Sequence, residues 1–175
     1  MLELFEAIRD FTETGGGVLK AIGVLIFVMW LLILERVMYI QITHKKLKSE
    51  IVERWMLRKE RSSWNAEQIR QAYISRLTMQ LTGTIPIIQA LVALCPLLGL
   101  MGTVTGMIEV FDVMAISGGG NARSMASGVS KATIPTMAGM VGALSGVFAS
   151  AWLMRSSKAE RTHLEEALPL DRQLG

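Results

Sequence analysis

Residues 85–111 read IPIIQALVALCPLLGLMGTVTGMIEVF, and no Asp, Glu, Lys or Arg occurs between Arg76 and Glu109. A helix needs about 20 consecutive apolar residues to cross the hydrocarbon core of a bilayer. This stretch crosses with length to spare. Working outward, residues 21–34 are also free of charge. They extend to a span over 18–42 if Lys20 snorkels at one end and Glu35 and Arg36 sit near the other. A third span covers 130–154, charge-free from 132 and stopping at Arg155 and Lys158, with Trp152 where an interfacial aromatic belongs. The expected fold class is an all-α membrane protein with three transmembrane helices.

Composition agrees. Of 175 residues 51% are hydrophobic and 19% charged, and mean hydropathy is +0.40, more apolar surface than a small globule buries. The acidic N-terminus, with Glu3, Glu6, Asp10 and Glu13, does not resemble a cleaved signal peptide, so the first span reads as an uncleaved anchor. The net charge of +3 does not point to nucleic acid, because the basic residues lie between apolar blocks and not in one stripe. The single cysteine, Cys95, excludes an internal disulfide and CxxC redox or zinc chemistry, and reads as packing.

Orientation follows from the cations. Fourteen of the 18 Lys and Arg lie in the segment between the first two spans or after the third; only Arg9, Lys20, Arg123 and Lys131 lie on the other side. The positive-inside rule then gives an N-out, C-in topology. Residues 1–14 form a periplasmic amphipathic helix with Leu4, Phe5, Ile8 and Phe11 on one face, or a frayed terminus with chance spacing. Residues 43–84 form a cytoplasmic helical segment, 113–128 a periplasmic loop, and 155–175 a cytoplasmic tail. In the cytoplasmic segment Leu47, Ile51 and Trp55 share one helical face, Ser62 and Ser63 mark a break, and Ile69, Tyr73, Leu77 and Gln80 share another. At about 40 residues it is too small for an enzyme domain, and the chain has no GxxxxGK[ST], HExxH or GxSxG. No cofactor or metal is expected. His44 and His163 stand among charged residues and read as solvated, and Gly118, Gly119 and Gly120 as a flexible turn.

The second and third spans differ in kind from the Leu, Ile, Val and Phe of the first. Gly99, Thr103 and Gly106 recur at steps of four and three, as do Ala132, Thr136, Gly139, Ala143, Gly146 and Ser150. Small faces of this kind mark close helix contacts in a membrane, and imply a homo-oligomeric ring with those faces turned inward. On them Thr103 and Thr136 either back-bond to carbonyls of their own helices or line a central space. Pro96 and Pro135 remove backbone donors and can kink the spans. The span interiors hold no Asp, Glu or His, so a titrating carboxylate for proton movement has to come from a partner. Glu109 and Lys131, near the outer ends, form an ion pair at the mouth or two independently snorkelling charges.

The stretch Leu98-Gly-Leu-Met-Gly-Thr-Val-Thr-Gly106, followed by Phe111 and by Gly128-Val-Ser-Lys-Ala-Thr-Ile-Pro-Thr-Met-Ala-Gly139, resembles the signature of the MotA/TolQ/ExbB proton channel family, its ExbB branch most of all. Ile33-Leu-Glu-Arg36 is similar to that family's exit from the membrane. The resemblance implies a homopentamer in the bacterial inner membrane, with the second and third spans lining a central pore. A dimer of a single-span ExbD-like partner supplies the membrane aspartate there. The work passes to a TonB-like protein that energises outer-membrane uptake of siderophore iron, haem or vitamin B12. Family pore threonines fall on Thr103 and Thr136, with Gly99, Gly106, Ala132, Gly139 and Ala143 around them. Lys131, where relatives carry a glutamate or another uncharged or acidic polar residue, and Pro135 depart from the pattern and imply a divergent subtype. A TolQ-like envelope or motility motor, or a non-conducting scaffold, is the alternative.

Overall fold

The computed structural model describes residues 16–58, 60–117 and 122–169. The expected helix at 1–14 and the Gly118 to Gly120 turn lie outside the described residues. Among those described, all regular structure is helical: α1 (Gly16–Met38), a five-residue π-helical turn (Tyr39–Thr43), α2 (His44–Met56), α3 (Trp64–Thr82), α4 (Ile85–Ser117) and α5 (Ala122–Ala167). Three helical runs, Gly16–Met56, Trp64–Ile116 and Ala126–Ala167, are long and apolar enough to cross a membrane. Helix continues past the expected spans: 113–117 and 122–128 are helical, and α5 carries on through the tail to Ala167.

Local chemistry explains the breaks. The polar break at Ser62 and Ser63 is a helix start, where the Ser63 hydroxyl accepts the Ala66 N–H at 3.3 Å and Glu67 follows in the first turn. Only Gly83 and Thr84 separate α3 from α4. Pro86 sits in the first turn of α4, where its missing N–H would have had no partner. At the end of the first span the His44 N–H reaches back five residues to the Tyr39 carbonyl, a wide turn that resets which face α2 presents.

The helices form two compact units. The first comprises α1 through Trp30 together with Gln89–Val147. Here α4 and α5 run antiparallel, with Gly99, Gly102 and Gly106 of α4 and Gly128 and Gly139 of α5 each set against the other helix. A Cβ at Gly99 would lie 2.9 Å from the Thr136 Cα, one at Gly106 2.7 Å from the Ala132 Cβ, and one at Gly139 2.5 Å from the Cys95 carbonyl oxygen. Gly102 takes the Pro135 ring, so this proline serves as a knob in a continuous helix. Helix α1 lies against the same pair: Val18 approaches Gly102, Ile26 covers Gly142 and Met29 covers Gly146.

The second unit comprises Leu31–Ile88 and the chain from Phe148 onward. Its core is Trp55, Ala66, Ile74, Leu77, Leu164 and Leu168, with Leu47, Ile51, Val52, Ile69 and Tyr73 packed against it. The two faces read from the 43–84 segment meet, except that Gln80 is exposed. Leu164 of α5 and Leu168 just beyond its end complete this core, a contribution that neither face encodes. His44 overturns its solvated reading, since its side chain is 1% exposed; His163 is exposed.

Candidate functional site

The chemistry-bearing residues of the first unit lie along the α4–α5 seam. Thr136 on α5 donates its hydroxyl hydrogen across the seam to the Gly99 carbonyl at 2.9 Å. Thr103 on α4 donates to the Leu100 carbonyl of its own helix at 2.7 Å. The two hydroxyls are thus turned onto consecutive carbonyls of one α4 turn, each keeping oxygen lone pairs free to accept. Gly99 permits this approach because nothing projects from it toward Thr136.

The angular order of residues places the hydroxyls relative to α1. At about 100° per residue, Gly102 lies to one side of the Gly99 and Gly106 line and Thr103 to the other, and Gly102 is the residue that Val18 of α1 approaches. On α5, Gly142 and Gly146, covered by Ile26 and Met29, turn the same way, with Thr136 and Ala143 opposite. Both threonines therefore occupy the flank of the seam that α1 leaves open. Gly99, Gly106, Ala132 and Gly139 form the tight contact itself.

The two charges expected at the mouth do not pair. Glu109 and Lys131 are both exposed, and among the described residues no ion pair joins them. Asp112 is exposed as well. No group of three or more His, Cys, Asp or Glu suited to a metal occurs among the described residues.

Residues 33–166 match the sequence model of the MotA/TolQ/ExbB proton channel family. The chain belongs to this family. It is 48% identical over 61 residues to a putative biopolymer transport protein ExbB-like 1 of Synechocystis sp., covering 33% of this chain and 24% of that protein. It is 33% identical over 84 residues to the biopolymer transport protein ExbB of Helicobacter pylori, covering 48% of this chain and 58% of that one. The matches thus span about a quarter and somewhat over half of the relatives' own lengths. The family region takes in the end of α1, all of α2, α3 and α4, and nearly all of α5.

Within this family member, the second unit holds polar contacts that sequence patterning did not single out. Arg36, 5% exposed at the end of the first span, donates from Nε to the Leu81 carbonyl at 3.1 Å and from Nη2 to the Gln80 carbonyl. It stacks over the Tyr39 ring at 4.9 Å. Arg70 treats the end of α5 in the same way, donating to the carbonyls of Leu168 at 2.6 Å and Glu165 at 2.7 Å. In the sequence both were counted as topology signals. An arginine so close to an apolar block, as Arg36 is, was the available hint of a buried partner.

Proposed function

We propose that this chain is the ring-forming subunit of an ExbB-type proton-driven complex in the bacterial inner membrane, oriented N-out and C-in. In this reading five copies surround a pore walled by α4 and α5. A dimer of a single-span ExbD-like partner stands in it, and the output passes to a TonB-like protein that energises outer-membrane uptake of siderophore iron, haem or vitamin B12. Thr103 and Thr136 face the pathway. Gly99, Gly106, Ala132, Gly139 and Ala143 hold the wall together, and Glu109 and Lys131 stand at its mouth.

The observation that carries the reading is the pairing of hydroxyls and absent acids. Both threonines lie on the flank of the seam away from α1, and the interiors of the three spans hold no Asp, Glu or His, Glu35 and Glu109 standing near span ends. A proton carrier in hydrocarbon needs a titrating group and polar neighbours that tolerate both of its charge states. The ring then supplies hydroxyls that accept and carbonyls that hold them, and the partner supplies the carboxylate.

The test is proton-motive-force-dependent uptake in cells carrying this chain with the single-span partner encoded beside it. Wild type is compared with Thr103→Val and Thr136→Val at equal membrane levels. Uptake falls severely in both variants while the oligomer remains intact. Full uptake would reduce the hydroxyls to helix packing and leave a non-conducting scaffold as the better account.

A further inference from the structure

The second unit buries a titratable group that the proposed transport pathway does not use. His44 opens α2, is 1% exposed, and has a buried Nε2 with no hydrogen bond among the described residues. That nitrogen lies 3.5 Å from Oε2 of Glu160 on α5, at the outer limit of a hydrogen bond. The same carboxylate oxygen is 3.5 Å from Nζ of Lys48, one turn further along α2. Among the described residues, Glu160 from α5 and Lys48 from its own helix are the charged groups that face it.

Neutral, the imidazole is a flat, largely apolar filler between α2 and α5. Protonated, it becomes a cation buried to 1% exposure, beside a carboxylate that is 26% exposed and already shared with Lys48. We propose that His44 is an acid-triggered release of the α2–α5 contact, holding the helices together when neutral and parting them when it takes up a proton. Under the proposed orientation the stimulus is acidification of the cytoplasm, the condition in which a proton gradient has run down. The contact itself does not depend on the transport reading.

The direction of the response follows from the balance of effects on His44. Burial lowers its pKa below the ordinary 6.5, Glu160 opposes that, and Lys48 lowers it further, with burial dominant. The packed unit thus binds fewer protons at this site than an opened one. Its stability is full above about pH 6.5 and declines as pH falls through and below that value.

The experiment uses the full chain in lipid nanodiscs in a Cys95→Ala background. Spin labels are placed at Ser49→Cys and Thr162→Cys, both exposed positions on α2 and α5, with labelled chains diluted by unlabelled ones. Between about pH 7.5 and about pH 5.5, the range histidines titrate across, the label separation lengthens in the wild-type site. It stays at its neutral-pH value in His44→Gln and His44→Phe. Lys48→Met, which leaves Glu160 free to hold the protonated ring, moves the opening midpoint to lower pH, and Glu160→Gln, which removes that carboxylate, moves it to higher pH, whereas His163→Asn, at the other of the two histidines, leaves the response intact. An unchanged separation in the wild-type site, an undiminished response in both His44 variants, or midpoints indifferent to Lys48 and Glu160 would overturn the proposal.

Discussion

Single glycines decide how closely the apolar helices approach. At Gly139 the first atom of any side chain would stand 2.5 Å from a backbone oxygen of Cys95, and at Gly99 2.9 Å from the Thr136 Cα. Backbone cannot swing aside as a side-chain tip can, so a methyl group at either position forces α4 and α5 apart. Gly139→Ala is expected to cost about 1–3 kcal/mol, the usual range for overpacking, read as a lower unfolding midpoint in mild detergent. Gly23 on α1 has nothing within 4 Å of where a Cβ would be. Gly23→Ala is therefore neutral or slightly stabilising in the same measurement, given alanine's better helix propensity. Equal losses at the two positions would mean that the seam is not the tight contact described.

For whole elements the deciding problem is how helices end. The last carbonyls of a helix lack intrahelical donors and carry the negative end of its dipole. Arg36 meets this need at the end of α3 and Arg70 at the end of α5, each with a two-pronged guanidinium. Lysine cannot reproduce that fork. Arg36→Gln leaves buried carbonyls short of a charged donor and is expected to destabilise the second unit by about 2 kcal/mol. It also increases protease cleavage around Gly83 and Thr84, and wild-type resistance to cleavage there would remove Arg36 from this role. The aromatic Trp55 adds a third tie, donating from Nε1 to the Pro169 carbonyl at 3.1 Å.

Across the whole molecule the first question is which end faces which compartment. Trp64 is 74% exposed at the start of α3 and Ile116 is 88% exposed near the end of α4. In a Cys95→Ala background, Trp64→Cys is expected to react with a membrane-impermeant thiol reagent only after inner-membrane disruption. Ile116→Cys reacts in intact spheroplasts. The reverse pattern would invert the topology read from the Lys and Arg distribution, and with it the side on which His44 senses acidity.

Sequence alone determined what can be read along one dimension. Charge-free runs mark three apolar helices, steps of three and four mark the small faces, and the period of Leu47, Ile51 and Trp55 against Ile69, Tyr73 and Leu77 marks two sides of a bundle. Thr103 and Thr136 were legible as a pair because they fall on those small faces. Periodicity names a face but not what it meets. The tertiary structure decided that Gly102 receives Pro135, that Thr136 reaches Gly99, and that Leu164 and Leu168 close a core begun around Trp55. It also decided that His44 is buried against Glu160. Each of these joins positions more than 30 residues apart, and burial at one is created by side chains at the other, which local spacing does not encode.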